Sequence, residues 1–155
     1  MPRVGIAHGP ITSPYMALLA SLLMLFHIVG PTATDLGVSN GELSPCPGRA
    51  HCAEAKWEST NPQKDLVRLG ESMALQPRTL IVQQTQSYIH AEVSSAFFGF
   101  VDDLEILAAQ RAIQARSISR IGDSDLGVNA RRIAALKSLL YADSAGLEQA
   151  PSDLS

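Results

Sequence analysis

At 155 residues and 16.5 kDa the chain has the length of one domain with tails, which excludes a large multidomain enzyme. Its 46% hydrophobic and 17% charged residues suit a globular core, and Gly 11 and Pro 9 are too scattered for a collagen-like or proline-rich fibre. A net charge of −3 and a pI near 5.7 lack the basic excess that nucleic-acid binding demands, so no nucleic acid is expected as a partner.

Met16 to Val29, MALLASLLMLFHIV, is a run of 14 residues without a charge. A membrane span needs about 20 apolar residues. The shorter run fits the apolar core of a secretory signal or an uncleaved anchor, and residues 1–31 are read so. A core helix would interrupt such a run with polar residues. The neutral stretch before it leaves Met16 and Met24 as alternative starts, and Leu43-Ser44-Pro45-Cys46 lies too far from it to serve as a lipoprotein signal. Residues 32–42, rich in Gly, Thr, Ser and Asn, read as a linker, residues 43–142 as one domain, and residues 143–155 as a loose tail.

Cys46 and Cys52 frame CPGRAHC. In an exported chain an even cysteine count favours a disulfide. Zinc with His51 as a third ligand is the alternative, but tetrahedral zinc wants four ligands at paired spacings. A cytosolic chain would keep two free thiols.

Asn61 followed by Pro62 signals a helix start, and Leu66, Leu69, Gly70 and Met73 repeat at helical spacing until Gln76-Pro77. Four strands are predicted next, at Thr79–Gln84, Tyr88–Ser94, Val101–Ala108 and Ala112–Ser119. Ile89, Ala91 and Val93 alternate with Tyr88, His90 and Glu92, and the later strands alternate likewise. The link Ser95–Phe100 carries Phe97, Phe98 and Phe100, placed at the end of the core. A last helix is expected from Asn129 as N-cap, with Ile133, Leu136 and Leu140 as its stripe. The fold class is α+β in two layers: an antiparallel four-stranded sheet with both helices on one face, in the order helix, four strands, helix.

Pairing Ser94 with Val101 sets Glu92 opposite Asp103 and His90 opposite Glu105. Pairing the last two strands across Ala108–Arg111 sets Asp103 opposite Arg116 and Glu105 opposite Gln114. His90, Glu92, Asp103, Glu105 and Arg116 then share the sheet side away from the helices. The plainer reading is a solvated face of weak ion pairs. The sharper one is a divalent-metal or acid–base site, with His90 as base and Glu105 orienting it, and with no nucleophile beside it. Arg116, Arg120, Arg131 and Arg132 cluster around a Gly-containing loop that opens a helix and are candidate anion-binding residues. Asp123 and Asp125 in that loop equally serve as caps. With Asn129 they mimic a calcium loop, but Ala134 stands where its bidentate Glu belongs. No G-x-S-x-G, P-loop, H-E-x-x-H or G-x-G-x-x-G occurs, so no catalytic residue, cofactor or metal is assigned.

The strings LSPCPGRAHC, YIHAEVSSAFFGFVDDLEI and ARSISRIGDSDLGVNARRI resemble the domain of unknown function 1499 family over about residues 43–141. LFHIVGPTATDLGV looks like the N-terminus of its cyanobacterial members, which implies the envelope or thylakoid side of such a cell. GRAHC departs from the Ser-Pro-Asn stretch of many members. The family carries no assigned activity. The expectation is therefore a non-enzymatic envelope module, periplasmic or thylakoid-lumenal, or tethered to the membrane by residues 16–29. Its open sheet face or turn aromatics would meet an unidentified protein or small ligand. The alternatives are a small hydrolase or metal-dependent enzyme on His90, Glu92, Asp103 and Glu105, and a binder of anionic lipid or amphiphile through Phe97, Phe98 and the arginines.

Overall fold

A computed structural model describes residues 14–16, 18–19, 29–95 and 99–142. Most of the apolar run 16–29, Phe97, Phe98 and the tail 143–155 lie outside the described residues. Among the described residues no helix is long and apolar enough to cross a membrane.

Among the described residues, seven strands and two helices follow in chain order from Val38 to Tyr141. A short hairpin pairs β1 (Val38–Ser39) with β2 (Glu42–Leu43). Then come β3 (Cys52–Glu58), α1 (Pro62–Ala74), β4 (Thr79–Gln84), β5 (Tyr88–Ser94), β6 (Val101–Ala108), β7 (Ala112–Ser119) and α2 (Val128–Tyr141). The main sheet is antiparallel and five-stranded, in the order β3-β7-β6-β5-β4. It therefore has one strand more than the four expected.

The added strand is β3, CAEAKWE. Alanine, glutamate and lysine are poor strand formers, and they mask its alternation. Ala53, Ala55 and Trp57 nevertheless point into the core, and β3 pairs along its whole length with β7. That pairing joins segments some sixty residues apart, so it is supplied by the tertiary fold rather than by a local turn.

The β5–β6 register is the expected one, with Glu92 opposite Asp103 and His90 opposite Glu105. The β6–β7 register is not. Glu105 faces Arg116, and Asp103 faces Ile118. The turn is displaced by one residue from the expected position: the Ala109 amide bonds the Ala112 carbonyl, which puts Gln110 and Arg111 at the tip. A shift of two residues changes every partner but leaves each side chain on its own face.

Both helices cover the apolar side. Leu66, Leu69 and Met73 of α1 and Ile133, Leu136 and Leu140 of α2 pack on Ile89, Leu104, Ile106 and Ile113. Asn61 caps α1, its side chain accepting from the Lys64 amide, and Pro62 opens it. At Gly70 an added Cβ would lie 2.8 Å from Ile89 Cδ1, so only glycine lets α1 settle so close to the sheet. The N-cap of α2 is Gly127 in the left-handed conformation, not Asn129 as expected. Asn129 is fully buried within the first turn because its amide side chain bonds Ser117, Ser119 and the His51 carbonyl.

Cys46 and Cys52 form a disulfide that ties the segment before β3 to the sheet. Closing so small a loop contributes about 2 kcal/mol in the chain-entropy model. Cys46→Ser is expected to lower the urea midpoint accordingly, and a reducing agent should give the wild type the same loss while leaving the variant unchanged.

Candidate functional site

Alternation along β5, β6 and β7 sends Tyr88, His90, Glu92, Asp103, Glu105, Gln114 and Arg116 to the side of the sheet away from the helices. The candidate patch is therefore assembled, but it is closed. Asp103, Glu105 and Arg116 are all 0% exposed. The open face of weakly paired charges expected from the sequence is corrected here. Residues 32–42, read as a linker, lie across it, and Ala33 and Gly37 supply backbone amides to its acids.

Two knots of charge result. In the first, Asp103 Oδ1 accepts from His90 Nε2 at 2.8 Å and from Arg120 Nη2 at 2.7 Å. Its Oδ2 accepts from Arg120 Nε at 2.9 Å and from the Ala33 amide at 3.3 Å. Arg120 Nη2 also reaches Glu92 Oε1 at 2.6 Å. In the second, Glu105 Oε1 accepts from the Tyr88 hydroxyl at 2.7 Å and the Gly37 amide at 2.6 Å. Glu105 Oε2 takes Arg116 Nη1 at 3.1 Å, while Arg116 Nη2 donates to Asp35 Oδ2 at 2.7 Å. Gly37 has φ of 103°, which favours glycine, and this lets the strap present its amide to Glu105. Beside it the Leu43 amide donates to Gln114 Oε1 at 3.1 Å.

Burial by itself pushes the Asp103 carboxyl up. The hydrogen bonds from His90, Arg120 and Ala33 and the Arg120 charge outweigh it and hold the group down at about 2. Its bond to Asp103 above all, and then Glu92, raises Arg120 further despite burial. Burial first, and then the bond to Glu105, pushes the Tyr88 hydroxyl well above the usual phenol range. Asp103 is therefore an anion that only accepts, so the His90 Nε2–H donates to it.

His90 is oriented by a carboxylate and buried, and among the described residues no hydroxyl or thiol bonds its ring. Among the described residues no group of three or more His, Cys, Asp or Glu could hold a metal ion. The described acids of the patch already accept from two or more donors, apart from Glu92.

The arginines grouped in sequence are divided by the sheet. Arg116 and Arg120 serve the polar side. Arg132 is on the helix side, bonding Asp102 Oδ2 at 2.8 Å, Ser117 and Asn129. Arg131 reaches the Leu126 carbonyl from an exposed position. The free amides at the start of α2 are taken by Asp125, which accepts from Gly127 and Asn129, both at 2.8 Å. Burial raises the Asp125 carboxyl, and those backbone bonds more than reverse the effect. Of the three residues that mimic a calcium loop, Asn129 has its side-chain oxygen taken by Ser117 and Arg132.

Three participants escaped the sequence reading. Tyr88 was placed on the right face by alternation and could have been included. Arg120 was grouped with the loop, although it follows β7 directly. Asp35 had no signal, since its partner Arg116 is 81 positions away.

The helix side holds a different feature, a groove of about 710 Å³ between the end of α1, the start of β4 and the length of α2. Met73, Val93, Leu104, Leu136 and Leu139 make it apolar, Gln76, Thr79 and Ser138 edge it, and Arg78 and Arg132 are the charged lining residues among those described. That volume is within the range of small-molecule pockets.

The model of a family described as "Protein of unknown function (DUF1499)" matches residues 42–140. A comparison with the curated proteins finds no match.

Proposed function

Since the chain belongs to this family of unknown function, which assigns no activity, we propose that it is a non-enzymatic binding module of the cell envelope, exported or tethered by its N-terminal segment, and that its binding surface is the groove beside α2. The observation that carries this reading is the contrast between the two sides of the sheet. The polar side spends its acids and bases on one another and on the strap. The helix side keeps an apolar groove of ligand size. Apolar clefts of this size with a few polar groups are where small molecules bind. The Cys46–Cys52 bond supports an oxidising compartment. A cyanobacterial-type protein, periplasmic or thylakoid-lumenal, belongs to the same proposal.

The test is a neutral solvatochromic dye, N-phenyl-1-naphthylamine, titrated onto the full chain. One saturable site is expected, lost in Ala135→Trp, where an indole on an exposed rim position fills the groove without touching the core. Absence of saturable binding, or equal binding by the variant, overturns the assignment.

A further inference from the structure

The groove has two unlike ends, and this says what it holds. Resting on the reading of the groove as the binding surface, we infer that its ligand is a single-chain amphiphile with a carboxylate head, and that Arg78 is the residue that pairs with the head.

Thr79 is opposite Val93, Val93 is opposite Asp102, and Asp102 holds Arg132. These are neighbours across three adjacent strands, so Arg78 and Arg132 close the same end of the groove. Arg132 is already neutralised by Asp102. Arg78 is exposed, and no hydrogen bond or ion pair engages its side chain among the described residues. Its main chain is fixed, with φ at 60° and its carbonyl accepting from the Ser94 amide at 2.9 Å. The charge is therefore free while its anchor point is not.

From Arg132 the groove follows α2 toward Ala142, about 15 Å at 1.5 Å per residue. Leu136, Leu139 and Met73 line that path. At the far end the Arg68 guanidinium donates to the Leu140 carbonyl at 2.6 Å, so the last turn of α2 is already engaged there. Among the described residues no carboxylate lines the groove. A cationic mouth and an apolar channel match an anion with an acyl tail and fix its direction, head at Arg78 and tail toward Ala142. A neutral apolar molecule would make no use of the mouth, and a cationic one would be repelled by it.

The experiment displaces the naphthylamine dye with palmitate, with hexadecanol and with hexadecyltrimethylammonium, each below its aggregation limit, on the full chain and on Arg78→Glu. Wild type should take palmitate in preference to the alcohol. Arg78→Glu loses an exposed ion pair and gains a like-charge contact, so it should weaken palmitate about tenfold and leave hexadecanol unchanged. The same variant should bind the ammonium amphiphile better than wild type does. Equal affinity of wild type and Arg78→Glu for palmitate overturns the role of Arg78. Dye binding that no amphiphile displaces overturns the ligand class and leaves the groove as the binding surface. Absence of dye binding removes the reading beneath both.

Discussion

Replacing Asp103 with alanine should lower the free energy of unfolding by about 3–5 kcal/mol, measured by urea unfolding at neutral pH. The carboxylate is fully buried, and its removal leaves Arg120, His90 and the Ala33 amide without their partner. The Arg120 side chain is only 3% exposed, so water cannot restore its solvation without opening the face. That uncompensated charge, rather than the lost attraction, makes the change costly. Glu92→Ala is the comparison. Glu92 meets the same guanidinium but is 30% exposed, and its loss should stay within about 1 kcal/mol. The strap should respond too, with the Ala33 amide exchanging faster in Asp103→Ala than in Glu92→Ala. Similar small losses in both variants would mean that the strap is held by something other than the buried acid.

Acid should loosen the same region in a defined window. The Asp103 carboxyl is held at about 2 in the folded protein against 3.8 for the ordinary group. A folded-state value below the unfolded one gives stability that is complete above the unfolded value and disappears as pH falls through the folded one. The contribution is therefore full at neutral pH, declines from about pH 5 through pH 2, and is gone near pH 1. Its size is about 2 to 3 kcal/mol, from the free energy that one pH unit represents. Asp125 is shifted in the same direction and adds with the same sign. Other carboxylates titrate in this range, so the informative quantity is a difference. The unfolding free energy of wild type should fall more steeply between pH 5 and pH 2 than that of Asp103→Asn, whose amide cannot titrate. Parallel pH dependences would show that this carboxyl is not held as an anion in the fold.

The face that these experiments probe has a physical logic. Placing like charges at Glu92 and Asp103, directly opposite in register, is unfavourable on an exposed sheet. Arg120 resolves it by donating to both. Glu105 is resolved in the same manner by Arg116 and Tyr88. Asp103 and Glu105 are each further bound by an amide of the strap, so the strap is held by hydrogen bonds to salt-bridged carboxylates, the stronger kind. The sheet thus has two differently built coverings, helices over its apolar side and an extended strap over its charged side.

Local pattern made the helix starting at Pro62 and the four strands from Thr79 to Ser119 legible to the residue, because capping chemistry and side-chain alternation act over a few positions. It also placed His90, Glu92, Asp103, Glu105 and Arg116 on a common face, since a pleated strand admits only two sides. What it could not supply was partnership across the chain. The fifth strand exists because Trp57 and its alanines meet β7, the Glu105–Arg116 pair follows from a tight turn at Gln110-Arg111, and burial of the acids comes from Ala33, Asp35 and Gly37, some seventy to eighty positions away from their partners. The groove beside α2 depends likewise on how two helices and a strand end converge. The sequence alone determined which side chains face together, because that is a property of backbone period. Only the tertiary structure decided whether they meet water or each other, because burial is set by whatever distant segment lies on top.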